Sequence, residues 1–405
     1  MTAKWRTLLL LALAELLVMG LWFSATAVVP ALTDHWAIGP TQAAWLTMAV
    51  QLGFVAGALG SAVINLPDLV EPRKVVAAGA LAGAACTAAI PALDLGFGAA
   101  VALRFATGMT LALVYPVGMK IMATWTREDR GLAIGLLVGA LTVGSASPHF
   151  LRALGGIADW RPVLYAASAL AAIGGAVAWR WGGLGPYGAP AARFHWSRMS
   201  HALTRRPLRL ANCGYLGHMW ELYAMWTWIP LFLLHAYRSG ATAGDGATER
   251  AAALATFAVI AAGGLGSLAA GRLADRWGRA NTTMLSMIVS GACALTIGLL
   301  LDAHPTLVTA VALVWGFAIV ADSAQFSASV SELSDAEYMG TQLTTQTAMG
   351  FLLTMASIQV VPMLVESVGW RWAFAVLAPG PALGTWAMAR LKRTSEARRL
   401  AGGRG

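Results

Sequence analysis

Apolar residues run through this chain in long blocks separated by short polar breaks, and the blocks continue almost to residue 405. A helix that crosses the hydrocarbon core needs roughly 20 mostly apolar residues. Twelve stretches meet that requirement, near 7–33, 41–64, 74–93, 97–122, 130–155, 161–181, 208–235, 250–271, 280–301, 305–330, 338–365 and 370–390. A membrane barrel would show short segments of alternating polarity instead. The pattern therefore predicts an all-α polytopic membrane protein. The first block is expected to be a retained span, because the apolar pattern resumes beyond it with no processing-like site between.

Composition narrows the class further. The chain is 58% hydrophobic and 12% charged, against about 25% charged in an average soluble domain. Its mean hydropathy is +0.65. This excludes an ordinary cytosolic enzyme, a nucleic-acid binder and a disordered chain. Cys86, Cys213 and Cys293 stand isolated in apolar runs, so neither a disulfide framework nor a cysteine-ligated metal is expected. The net charge of +9 is explained by position rather than by cargo. With Lys4 and Arg6 inside, 21 of the 28 Lys and Arg fall in inner loops and tails, and only Arg161, Arg238, Arg250 and Arg371 fall outside. That is a strong positive-inside bias. It places both termini in the cytoplasm and the chain in a cytoplasmic (inner) membrane. The longest polar break, 182–207, is rich in Gly, Pro, Arg and His. It separates an N-terminal six-helix half, 1–181, from a C-terminal half with a basic tail, 208–405.

The halves repeat one another. Trp160-Arg161 opens span six and Trp370-Arg371 opens span twelve, 210 residues later; Arg130-Gly131 and Met339-Gly340 stand at a similar offset of 209. The segment from Gly271 to Arg279, with Asp275, Arg276 and Gly278, follows span eight, and its counterpart after span two contains Asp68, Arg73 and Lys74. Here the sequence resembles the major facilitator superfamily over essentially its whole length. Gly271 to Arg279 looks like that family's inner-loop signature, Gly-x-x-x-Asp-Arg-x-Gly-Arg. The earlier copy is degenerate, with Ile64 and Glu71 at the glycine positions and Leu69 in place of an Arg. Gly135, Gly144 and Pro148 partly resemble the family's antiporter signature, but its Gly-Pro pair has become Ser147-Pro148. The resemblance implies twelve helices in two pseudo-symmetric halves, a central cavity and alternating access. In that setting Asp275 and Arg279 are expected to pair across the inner mouth, with Asp68, Arg73, Gly271, Arg276 and Gly278 completing the gate.

Few ionisable groups lie within spans, and a charge at the bilayer centre costs roughly 2.5–3.5 kcal/mol even on insertion scales. Glu15 in span one, Asp322 in span ten, and His218 with Glu221 in span seven are the candidates for carrying a coupling proton; a fixed structural pair is the rival reading for each. Arg104 in span four must meet an anion, a carboxylate or a carbonyl, as substrate clamp or as helix–helix glue. His149 and Arg152 share a face of span five near its outer end, as a possible outer gate. Gln51, Gln325 and Gln346 are cavity candidates, and Tyr223 and Trp228 could bound an organic ligand. Lys120 can snorkel, and the His218, Met219, Glu221, Met225 run fits packing better than a metal. No metal or other cofactor is expected.

The chain lacks a Walker loop and an assembled hydrolase triad. These features point to a secondary transporter, not an enzyme, working as a monomer among membrane lipids on a small organic solute. A proton-coupled carrier of an anion is the leading expectation. A proton-coupled exporter of lipophilic or cationic compounds is the second, and a non-transporting scaffold or sensor the third.

Overall fold

The computed structural model describes residues 3–126, 130–187, 194–239 and 244–405, and their side chains except those of 67, 68, 130, 131 and 336. Helix is the dominant structure, and no strand occurs among the described residues. Among the described residues, ten helical runs are long and apolar enough to cross a membrane. Arg206–Ser239 and the interrupted run from Trp370 to Lys392 complete twelve spans in chain order.

Span one is Ala3–Ala27, continued past a break at Val28 by the short helix Val29–Trp36. Span two is Pro40–Ile64, three is Pro72–Leu93, five is Arg130–Gly155 and six is Arg161–Trp181. Span seven is Arg206–Ser239, eight is Asp245–Trp277, nine is Arg279–Thr296 with Ile297–Leu300, and eleven is Met339–Val368. Several open on Pro near their first position, where the missing N–H is no loss.

Spans four and ten are each broken in two, which hydropathy does not reveal. Span four is Phe97–Leu111 and Tyr115–Ala123. Pro116 has no N–H to offer the carbonyl of Ala112, so the helix cannot run straight through. Span ten is Pro305–Ala321 and Ser323–Leu333, interrupted at Asp322. Val114 and Asp322 are 208 residues apart, so the breaks occupy equivalent places in the two halves. Discontinuous helices in matching positions mark the centre of many carriers.

The packing carries the same symmetry. Within the first half, spans one, three and six pack together and span two lies on span four. Within the second, span seven packs on eleven and twelve, and span eight on ten. Two close approaches match: a Cβ on Gly108 would lie 1.9 Å from Val50 O, and one on Gly316 would lie 1.9 Å from Val259 O. Only glycine permits backbones so near. The halves meet where span five packs on eight and span two on eleven. Exchanging two for eight and five for eleven turns one contact into the other, as a two-fold axis between the halves requires.

Candidate functional site

Six aromatic rings close the middle of the interface. Trp22 and Phe23 come from span one, Phe54 from two, Tyr223 and Trp226 from seven, and Phe351 from eleven. Trp22 stacks against Tyr223 at 5.8 Å and Phe351 at 5.4 Å, while Phe54 lies 4.9 Å from Phe351 and 5.0 Å from Trp22. Phe23 and Trp226 extend the cluster around Tyr223. All six rings are buried. Beside them Thr354 Oγ1 donates to Gln51 Oε1, joining spans eleven and two.

We call the face carrying the Gly271–Arg279 loop the near face. Two clefts open on the opposite, far face above the aromatic layer. One, of about 570 Å³, is lined by Thr33, Asp34, Pro40, Trp228 and Leu231. The other, of about 280 Å³, is lined by His235, Arg238, Glu366, Trp370 and again Trp228. Trp228 thus belongs to the far clefts, where its Nε1 donates to Ile358 O at 2.8 Å, whereas Tyr223 belongs to the ring cluster.

Toward the near face lies Glu15, 1% exposed and seven residues before Trp22. Seven residues make nearly two whole turns, so both side chains leave span one on the same side. Glu15 Oε2 would be 3.3 Å from a Cβ on Gly118, which puts the carboxyl against the second piece of span four. Tyr115 is within its electrostatic reach, and Tyr215 of span seven is within that of Tyr115. No basic side chain pairs with Glu15 among the described residues, and its Oε1 has no hydrogen-bond partner. Trp22 Nε1, Trp226 Nε1, Gln51 Nε2 and both polar atoms of the Gln346 amide are buried and unpartnered as well. Unsatisfied buried groups are uncommon in folded proteins, and each calls for a reason.

The other intramembrane charges are committed elsewhere. Arg104 is fully buried and spends its guanidinium on its own half: Nε donates to Leu46 O at 3.0 Å, Nη1 to Leu21 O at 2.7 Å and Ser24 Oγ at 3.3 Å, and Nη2 to Trp22 O. Glu221 accepts from Ser290 Oγ at 2.8 Å and from Trp315 Nε1 at 2.7 Å. His218 shares its helical face but turns to span ten, with Nδ1 2.8 Å from Asp322 Oδ1 and Nε2 unpartnered. The two therefore have separate partners rather than each other. Gln325 Oε1 accepts from Arg279 Nη1 at 2.8 Å, so it serves the near face instead of a cavity.

At the near face Arg279 grips Glu332 at the end of span ten, through Nε at 2.8 Å and Nη2 at 2.5 Å. The expected Asp275–Arg279 pair is not formed: the Asp275 side chain is exposed, and its backbone carbonyl accepts from Arg404. The reason is geometric, because Gly278 turns the chain through a φ of +92° and starts span nine toward span ten. Arg276 is exposed, Gly271 lies within span eight, and Arg73 pairs with Glu71 in its own loop. Asp68 falls among the side chains outside those described. Glu71 is held below the usual carboxylate range, mainly by its hydrogen bond from Arg73.

At the far face Arg152 Nη2 meets Glu249 Oε2 at 3.0 Å, and Arg238 Nη2 meets Glu249 Oε1 at 2.7 Å, which ties span five to spans seven and eight. His149 is buried one turn away with Nε2 unpartnered. Each repeat arginine also has an acid. Arg161 meets Asp94 at 3.1 Å, and Arg371 meets Asp302 at 2.7 Å. Sequence reasoning missed Glu249, Glu332, Asp94 and Asp302. The last two were detectable, since they lie 208 residues apart, nearly the 210 that separates their arginines.

The profile of the Major Facilitator Superfamily matches residues 11–358 and again 246–405. Among solved structures, a mutant of the nucleoside transporter NupG is similar, with a TM-score of 0.72, 15% identity, and coverage of 96% of this chain and 100% of that one. A bacterial homologue of the human lysosomal transporter Spinster, inward-facing and unoccupied, has a TM-score of 0.69 at 12% identity and covers 98% of each chain. At such identities the likeness is one of fold. No curated protein matches the chain in sequence. A profile that runs the length of the chain, together with two six-helix halves around a two-fold axis, leaves one conclusion: the chain belongs to the major facilitator superfamily and is a multi-pass secondary transporter, not an enzyme.

Proposed function

We propose that the chain moves an uncharged or cationic organic solute through the ring-lined interface between its halves, coupled to protons carried by Glu15. The observation that carries this reading is the Glu15 carboxyl itself, buried on the Trp22 side of span one with an orphan oxygen and no basic partner among the described residues. An unpaired ionised carboxylate at such depth costs several kcal/mol. Glu15 therefore holds a proton when the site is closed and releases it when the near or far side opens to water. His218 and Asp322, beside the break in span ten, form a second proton-exchanging unit in the other half.

Commitment of Arg104 and Arg152 to internal partners favours the exporter of lipophilic or cationic compounds over the anion carrier. Gln51 supplies a polar contact beside the rings, and Gln346 is a further buried, unpartnered amide on span eleven. Arg279 with Glu332 closes the near side, and Arg152, Glu249 and Arg238 close the far side. In this reading Asp275 engages only when the near side rearranges. The basic loops favour a cytoplasmic near face in an inner membrane, with 182–207 read as the cytoplasmic linker between halves 1–181 and 208–405. The repeat is complete within one chain, which supports a monomeric unit.

Counterflow in proteoliposomes, run over a panel of cationic, uncharged and anionic aromatic solutes with and without a pH gradient, tests the reading. Uncharged or cationic solutes should exchange, and a gradient should drive their accumulation. Exchange confined to anions, or rates indifferent to the gradient, would overturn it.

A further inference from the structure

The ring cluster is built from two walls. Trp22 and Phe54 belong to the first half, and Tyr223 and Phe351 to the second, with centroids 4.9 to 5.8 Å apart across the interface. That spacing leaves no room for a further ring. Parting of the halves would open a flat slot with an aromatic wall on each side, and π-faces favour offset stacking of a planar guest.

The slot also has a hydrogen-bonding polarity. The indole N–H groups of Trp22 and Trp226 are sealed within the cluster without an acceptor. An indole nitrogen can only donate, so nothing except an acceptor satisfies either group. Trp228, two residues beyond Trp226, shows the alternative, with its N–H paired to Ile358 O. The amides of Gln51 and Gln346 can present either end. Arg104, the buried guanidinium of spans one, two and four, is occupied by carbonyls, and Glu15 lies about 10 Å along span one from the rings. The rings therefore have neither a fixed cation to hold a carboxylate nor an adjacent acid to hold an ammonium.

We infer that the solute is a flat, uncharged heteroaromatic whose edge carries at least two hydrogen-bond acceptors, ring carbonyls or bare ring nitrogens, stacked between Trp22–Phe54 and Tyr223–Phe351 with the Trp22 and Trp226 N–H groups on its edge. This rests on the interface being the transport site. It goes further in fixing the acceptor pattern and in leaving Glu15 free for the proton.

The test is binding to the purified full-length protein in detergent, by titration calorimetry and ligand-induced shift of the melting temperature. The probes are a set of uncharged bicyclic heteroaromatics with ring carbonyls (caffeine is one), phenyltrimethylammonium and benzoate. The heteroaromatics should give the strongest binding and protection. Trp22→Phe and Trp226→Phe keep a stacking ring and remove the donor. Each should weaken the best heteroaromatic about tenfold, a typical hydrogen-bond effect, and weaken phenyltrimethylammonium clearly less, since that probe has no acceptor for the lost N–H. The inference is overturned if phenyltrimethylammonium or benzoate is the best ligand, if no heteroaromatic protects at millimolar concentration, or if both Trp→Phe variants bind heteroaromatics as the wild type does. Proton coupling is read separately in vesicles. Gradient-independent exchange of a heteroaromatic would remove the coupling proposal and leave the ligand class intact, whereas gradient-driven transport of an ammonium would do the reverse.

Discussion

Two sets of buried polar side chains behave in opposite ways: Arg104 and Glu221, inside the halves, are engaged by several partners, while those beside the rings at the seam between the halves are not, and His149 and His218 inside the halves share the latter state. Inside the first half Arg104 reaches three carbonyls and a hydroxyl; inside the second Glu221 receives a hydroxyl and an indole N–H. Gln51, Trp22 and Trp226 at the rings, and Glu15 and Gln346 on spans that carry ring residues, all retain an atom without a partner. A satisfied buried group rigidifies the element that holds it, whereas an unsatisfied one has free energy to gain from a guest, a proton or water. The difference distinguishes Arg104 from Trp22 more sharply than charge does. Arg104 looked the more functional residue by its rarity, and Trp22 the less.

The comparison breaks most visibly if Arg104 proves dispensable. Arg104→Ala orphans carbonyls in spans one and two, and should destabilise the fold by on the order of 3 kcal/mol. Melting of the detergent-solubilised protein and its monodisperse yield measure this. A variant with wild-type stability and selectively lost transport would return Arg104 to the substrate.

A smaller and more discriminating effect lies in two buried tryptophans, Trp228 of the far clefts and Trp22 of the ring cluster. Trp228→Phe and Trp22→Phe remove the same volume, but only the first breaks a hydrogen bond. Trp228→Phe should therefore be the less stable without ligand, by about 1 kcal/mol. Equal melting temperatures would mean that the seam is no less satisfied than its surroundings.

The smallest expected effect concerns the rim. Asp94 is held below the usual carboxylate range, first by its hydrogen bond with His35 and then by the charge of His35 and the hydrogen bond from Arg161. A depressed carboxyl stabilises the folded state above its unfolded pKa, near 4, and loses that contribution as pH falls through its folded value. Asp94→Asn should thus melt slightly below the wild type at pH 7, and the gap should close in acid. A gap that widens on acidification would show that another group carries the pH dependence. Because the pair is half-exposed, solvent screens it and the effect is small.

Much of the architecture is readable from hydropathy. The twelve predicted stretches coincide with the observed spans, and 161–181 agrees to the residue with Arg161–Trp181. The breaks in spans four and ten were not legible, because Pro116 and Asp322 lie in apolar surroundings that a window average hides. The buried ionisable residues were legible as a set, since each is costly in a bilayer. Their partners were not. Glu249 and Glu332 sit at span ends, where an acid draws no notice, and only the folded bundle brings them to Arg152 and Arg279. The seam rings were hidden for another reason. Among 17 tryptophans, position along a span does not tell an interfacial anchor from a wall of the transport path.

The central claim, that the seam hosts the exchange of a proton at Glu15, is tested most directly by Glu15→Gln in proteoliposomes, with counterflow and gradient-driven uptake of one transported solute measured on the same preparation. The account predicts that counterflow persists near the wild-type rate while accumulation against a concentration gradient, driven by a pH gradient, falls at least tenfold, because the amide keeps the shape and cannot carry the proton. Undiminished gradient-driven accumulation by Glu15→Gln would contradict it.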